Sequence, residues 1–446
     1  MQVFVIAGES SGDLHGSNLI RALKSRLPHA KFVGIGGPKM EEAGLELLFP
    51  SSDLAVVGVV EVIGHIRPIL KAFSRTTAWF RKERPDLLIL IDYPEFNLQV
   101  AGRAKKLGIP IFYYISPQVW AWRQGRVKKL RRLVDRMAVI LPFEEAFFRS
   151  RGMEVRFVSH PLLDVVKAEV SKTEFCRKVG LNPEKPIVGL VPGSRKSEIS
   201  RLFPVMAGAA ERIFQDKQDV QFVVPLAPSL DPEILELFNH QITKSPNHQI
   251  IQSPNHQIIR VVKGQTYDAI AASDLILAAS GTVTLEAAIL ETPMVVTYKV
   301  SPITCFLGKF FIKVPFASLV NLIAGRQVVT EIIQQDVTPE RLSQEALSLL
   351  RDDARRKNMI KDLKEVKNAL GGSGAAERAA DLAMELISGT CVVSERKNRS
   401  DTKERTINNL NKLMFFLPSS SLLVDHITRY ARSSRLKYYN PNQSLT

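Results

Sequence analysis

Three short segments of this chain carry side chains suited to handling a charged leaving group and a proton. In the first, Pro192-Gly193-Ser194-Arg195 follow the β-branched run Ile187 to Val191 and lead into helix-forming residues. A strand, a tight turn and a helix N-terminus aim unpaired backbone N–H groups and the positive end of a helix dipole at one spot. Gly193 lets the backbone approach an anion, Ser194 adds a hydroxyl and Arg195 a planar cation. Such a junction could hold a diphosphate and stabilise it as it leaves. An ordinary turn with a solvated Arg is the competing reading. The second segment, Ser280-Gly281-Thr282, repeats the design after the strand Ser273 to Ala278. Glu286, one turn into the next helix, is placed to meet a ribose diol or to stand as an exposed helical carboxylate. In the third, the apolar run Asp86 to Ile91 delivers Asp92 at its C-terminal end, followed by Tyr93-Pro94-Glu95-Phe96-Asn97. A carboxylate there can serve as general base, sugar-hydroxyl ligand or helix cap.

These loops need a scaffold of strands and helices. Gln2 to Ala7 read as a buried strand, Gly8 to Asp13 as a small-residue loop and Leu14 to Leu27 as a helix, so each half of the chain opens with strand, glycine loop and helix. Pro110 to Ile115 form another strand that runs into Trp120-Ala121-Trp122-Arg123, a candidate surface for a sugar, an acyl chain or a partner. The basic helix Arg126 to Asp135 suits phosphate or lipid contact, or plain solvation. A helix from about Ile66 to Glu83 puts Ile66, Ile69, Leu70, Phe73 and Phe80 on one face and Arg67, Lys71 and Arg75 in a stripe at spacing four. It could pack on the sheet or lie on an anionic membrane, and the apolar stretch 303–323, with two lysines, raises the same alternatives. Residues 162–185 read as a linker.

With 446 residues, two α/β-sized domains are the natural division. The scattered Cys176, Cys305 and Cys391 point to neither disulfides nor a thiolate metal site and fit a reducing cytoplasm. Met1 to Ala7 lacks the basic lead of a signal peptide, and no run reaches membrane-spanning length. A net charge of +15 asks for an anionic partner, but residues 389–446 carry ten Lys/Arg against four Asp/Glu, so about +6 belongs to this basic tail. No nucleic-acid-binding motif accompanies the charge. The repeated NHQI at 239, 247 and 255 copies its Ser-Pro along with its His and brings no acidic partner, which favours a duplicated loop insertion over a metal site.

The pattern fits an α/β fold of two Rossmann-like domains facing a central cleft. The motifs GESSGDLHG (8–16), EVIG (61–64), IDYPEFN (91–97), YISPQVWAWR (114–123), LPFE (141–144), PGSRKSEI (192–199), ASGTVTLE (279–286) and SLVNLIAGR (318–326) together resemble the lipid-A-disaccharide synthases, in order over about residues 1–388. The resemblance implies a GT-B glycosyltransferase, inverting and metal-independent and without a cofactor. It would be peripheral on the cytoplasmic face of a Gram-negative inner membrane, joining UDP-2,3-diacylglucosamine to 2,3-diacylglucosamine 1-phosphate (lipid X) through a β-1,6 bond and releasing UDP. It implies a domain at 1–165 for the acceptor and membrane, one at 186–370 for the UDP-sugar, a helix at 371–388 and a tail at 389–446 outside the family fold. Carried onto this chain, Asp92 matches the candidate base and Arg195 the cation that answers the diphosphate. Gly193, Ser194, Ser280, Gly281, Thr282 and Glu286 would line the UDP site. Glu9, Ser10, Ser11, His15, Asn97, Trp120 and Asn321 would line the acceptor cleft, and Arg67, Lys71 and Arg75 would face the anionic membrane surface. A homodimer is compatible and nucleic acid is not implied. Glu95 stands where many relatives carry Asp, and the NHQI insertion and the tail have no family counterpart. The alternative on the same architecture is a UDP-sugar 2-epimerase, which would need no acylated acceptor.

Overall fold

The computed structural model describes residues 1–54, 59–121, 124–226, 259–300 and 314–389; for Ser10 and residues 59–66 only the backbone is described. Trp122, Arg123, the three NHQI motifs, most of the 303–323 stretch and the tail beyond 389 therefore lie outside the described residues.

Among the described residues the chain divides into two units, one formed by Met1–Asp164 with residues 370–389, the other by Val165–Ala369. In the first, seven strands, β1 (Gln2–Ala7), β2 (Lys31–Gly36), β3 (Leu45–Pro50), β4 (Leu87–Ile91), β5 (Ile111–Tyr114), β6 (Arg136–Val139) and β7 (Val155–Phe157), form a sheet of order β3-β2-β1-β4-β5-β6-β7. Every pairing is parallel. Side chains alternate between the faces of the sheet. Phe4, Ile6, Leu88, Leu90 and Tyr113 join the core beneath the helices Val59–Glu83, Pro94–Lys106 and Arg126–Leu133. Val3, Val5, Leu87, Ile89 and Phe112 join the opposite core, under Ser10–Arg26 and Ala375–Ile387. Burial on both faces accounts for the unbroken apolar runs, which an amphipathic strand would not show.

The second unit repeats the plan with β8 (Ile187–Val191), β9 (Gln221–Leu226), β10 (Ile259–Lys263), β11 (Leu275–Ala279), β12 (Met294–Tyr298) and β13 (Thr330–Ile333) in the order β10-β9-β8-β11-β12-β13. Both sheets reverse their strand order beside their first strand, between β1 and β4 and between β8 and β11. The loops leaving those four strands are the loops singled out by composition: Gly8-Glu9, Asp92, Pro192 to Arg195 and Ser280 to Thr282. Ligand crevices in open α/β sheets form at such reversals, because adjacent loops diverge to opposite faces there.

Three expectations need correcting. The helix expected from Ile66 starts at Val59 and tolerates Pro68 inside it. Leu70 was placed on its apolar face but is 54% exposed, beside the exposed Arg67 and Lys71, while Ile69 and Phe80 are buried as expected and Ala72 joins them. The supposed linker contains the helix Lys172–Val179, whose Phe175 and Cys176 are buried against Ile187 and Val223.

Candidate active site

At the first reversal Asp92 leaves β4 with φ 44 and Tyr93 follows with the same value, so two consecutive non-glycine residues occupy the left-handed region. Each costs on the order of 1–3 kcal/mol and persists only where its surroundings over-determine it. Here they do. The Asp92 carbonyl accepts hydrogen bonds from Asn97 Nδ2 at 2.6 Å and from the Tyr113 hydroxyl at 2.5 Å, and the Tyr93 hydroxyl donates to the Leu54 carbonyl at 3.2 Å. The Tyr93 ring lies against Gly8, where a Cβ would come within 2.3 Å of it. Gly8 is glycine so that this ring can pack there, which interlocks the Gly8-Glu9 loop after β1 with the Asp92 turn after β4. Burial pushes the Asp92 carboxyl up to about 8; Glu9, then Glu95 and Glu144, add repulsion, and a backbone hydrogen bond opposes the rise.

The neighbouring residues are supports. Glu95 is buried and paired with Arg126 Nη1 at 2.8 Å, so Arg126 is neither solvated nor spare for phosphate. Removing either partner would leave an uncompensated charge in the interior beside Asp92. Glu144, 1% exposed, accepts from Ser116 Oγ at 2.6 Å, Trp120 Nε1 at 3.0 Å and the backbone N–H groups of Ile140 and Leu141. It thereby fastens the segment 116–120 to the start of the Pro142–Arg149 helix. Trp120, expected as a cleft surface, is instead buried edge-on against Phe143. Asn97 is also buried, and its amide serves the Asp92 turn. Burial, with Lys39 adding to it, pushes His15 down to about 4, so His15 is neutral at pH 7 and a weaker base than an ionised carboxylate at Asp92.

At the second reversal Gly193 has φ 110, and a Cβ there would lie 2.3 Å from Glu198 Oε2. Arg195 precedes the 21-residue helix Lys196–Asp216 and pairs with Glu198 at 3.0 Å, while Glu198 also accepts from the Ser194 N–H at 3.3 Å. A carboxylate thus rests on the donors expected to meet a diphosphate. Facing this loop across the strand pair, Ser280 donates to the Ala317 carbonyl at 2.9 Å, Gly281 borders open space and Thr282 is exposed. Burial pushes Glu286 up to about 7, which replaces the exposed-carboxylate alternative with a carboxyl that can both donate and accept. Asn321 does not line an open surface. It is fully buried, its amide donating to Val329 O and Glu331 and its oxygen accepting from the Val328 and Val329 N–H groups.

A family model described as lipid-A-disaccharide synthetase matches residues 3–385. The chain belongs to this family. Lipid-A-disaccharide synthase from Syntrophus aciditrophicus is 47% identical over 385 residues, covering 86% of this chain and 97% of that protein. The enzyme of the same name from Nitrosococcus oceani is 46% identical over 387 residues, covering 87% and 96%. Among solved structures, the glycotransferase of kitacinnamycin matches with TM-score 0.58 at 16% identity, covering 86% of this chain and 99% of that one. A putative UDP-N-acetylglucosamine 2-epimerase from Listeria monocytogenes also gives 0.58, at 13% identity and covering 87% and 97%. At such identities these two establish the GT-B fold alone. Family membership makes the chain an enzyme of lipid A disaccharide synthesis, and the epimerase alternative is not favoured.

The first reversal brings Glu9 and Asp92 together, and the second brings together Gly193, Ser194, Arg195 and the 280–282 loop. Glu144, Arg126, Tyr113 and Glu198 were missed as supports. Glu144 and Glu198 carried a local signal, since each is a Glu three residues after the residue that opens a helix, Leu141 and Arg195, which is half of a capping box. Because the family match ends at residue 385, deleting residues 390–446 is expected to leave turnover in detergent within about twofold of the full chain. Loss of folded protein on that deletion, seen by gel filtration, would count against this.

Proposed function

We propose that this family member joins UDP-2,3-diacylglucosamine to 2,3-diacylglucosamine 1-phosphate and releases UDP. In this reading Asp92, ionised, takes the proton from the acceptor 6-hydroxyl. The oxygen attacks the donor C1 with inversion to the β-1,6 bond, and UDP leaves toward Arg195 and the N–H groups of the Gly193-Ser194 loop. Glu286 holds the ribose diol. The observation that carries the reading is the placement of a carboxylate with raised pKa at one sheet reversal and a cation with a glycine turn at the other, within a member of this family. Incubating the purified chain with both acylated sugars should give UDP and disaccharide in equal amounts. Epimerised sugar without acceptor consumption would replace this reading.

Substrates with two acyl chains reside in a bilayer, so the enzyme should meet them as a peripheral protein on the cytoplasmic face of the inner membrane. Among the described residues Arg67, Lys71 and Arg75 make no ion pairs, and the exposed Leu70 lies among them. Cations near an anionic surface contribute about 1 kcal/mol each, so three shift partitioning roughly a hundredfold at low salt. The variant with Arg67→Glu, Lys71→Glu and Arg75→Glu is expected to lose sedimentation with anionic vesicles and activity on vesicle-embedded substrate, while keeping activity in detergent. Wild-type sedimentation would leave this helix as a packed surface helix and shift the role to the 303–319 stretch.

A further inference from the structure

The left-handed turn at Asp92 and Tyr93 is unstable on its own, and what holds it comes from a different strand. Tyr113 sits in β5, fully buried, with its ring in the core beneath the Pro94–Lys106 helix. Its hydroxyl donates at 2.5 Å to the same carbonyl that accepts from Asn97 at 2.6 Å. Two donors thus converge on one peptide oxygen of the residue whose side chain is the candidate base. The Asn97 amide donates there to the Ile91 and Asp92 carbonyls, while its own Oδ1 is buried without a hydrogen-bond partner among the described residues. An asparagine kept buried with an idle oxygen earns its position through its amide. Burial raises the Tyr113 phenol well above its ordinary range, so it remains a donor across the working pH.

We propose that Tyr113 is a positioning residue for the reaction: its hydroxyl, together with the Asn97 amide, fixes the Asp92 peptide in the left-handed turn and thereby fixes the direction of the Asp92 carboxylate. The assignment rests on Asp92 being the base. Orientation matters because proton transfer needs the acceptor oxygen within hydrogen-bond reach, and small misplacements cost rate rather than binding. A tyrosine that only filled the core would affect stability and leave the chemistry alone.

The test uses the full chain in detergent with both acylated sugars. Tyr113→Phe is expected to lower kcat about tenfold, with KM for each substrate within twofold of wild type. Asn97→Ser should do likewise, and carries the test if Tyr113→Phe does not accumulate folded. Each substitution should be silent in an Asp92→Asn background, because a base that is gone cannot be misaimed. Wild-type kcat in the single variants, or the same proportional loss with and without the Asp92 carboxylate, would overturn the proposal. Near-wild-type turnover of Asp92→Asn alone would instead remove the base assignment, and this inference with it.

Discussion

Asp92→Asn is expected to lower turnover by roughly two orders of magnitude or more while the protein stays folded, the range set by loss of a general base. The amide is isosteric, its Oδ1 can still accept the Tyr93 N–H, and the Asn97 and Tyr113 hydrogen bonds go to the Asp92 carbonyl, so the turn should survive the change. A second signature separates this from generic damage. With the carboxyl at about 8, the wild-type kcat/KM should rise with pH through that region and level off above it, and the variant should lack that limb. Stability should respond in the opposite sense. A carboxyl whose folded pKa is raised contributes stability that is complete below its unfolded value near 4 and is lost as pH climbs through about 8. Asp92→Asn should therefore melt higher than the parent at pH 9 and show no such advantage at pH 4. A variant with wild-type turnover would move the base to Glu9 or His15.

Arg195→Ala should cost about 10²- to 10³-fold in kcat and weaken UDP binding measured by calorimetry, because a preorganised cation at a developing diphosphate charge is among the larger single contributions to such a transition state. Little stability should go with it. The ion pair with Glu198 joins the residue before the helix to one in its first turn and is partly solvated, which limits it to a few tenths of a kcal/mol. Arg195→Lys should recover only part of the rate, since an ammonium keeps the charge and loses the planar fork. Turnover within threefold of wild type for Arg195→Ala would place the charge stabilisation elsewhere on the loop, with Lys196 the next cation in the sequence.

Much of this architecture was legible because its signals are local. Continuous apolar runs followed by glycine loops mark buried parallel strands wherever they occur, and Asp92, Gly193 and Arg195 stand out as candidates from their immediate neighbours. What was not legible depends on contacts between distant segments. Trp120 looked like an exposed platform because nothing near it announces Glu144, 24 residues on, as the acceptor for its N–H. Asn321 looked available because its partners from Val328 to Glu331 become neighbours only when the chain turns back into β13. Leu70 was misplaced for a different reason. A helical stripe identifies a face only to within about one residue, and Leu70 lies at the edge of this one, next to Lys71.

The first unit is completed by the far end of the chain. Ala379, Ala380 and Ala383 of the Ala375–Ile387 helix are buried in the same core as Val3 and Val5, and Arg26 pairs with Glu377 and Asp381. A ribosome adding 5–20 residues per second needs roughly 10–40 s to pass from Asp164 to Leu370. Throughout that interval the nascent first unit lacks one of the two helices that cover this face of its sheet, and part of an apolar surface stands open while the second unit is still being made. The second unit, contiguous in sequence, can close as soon as it emerges. The order of completion during synthesis is therefore the reverse of the order in sequence, and the window for chaperone capture or misassociation belongs to the N-terminal unit.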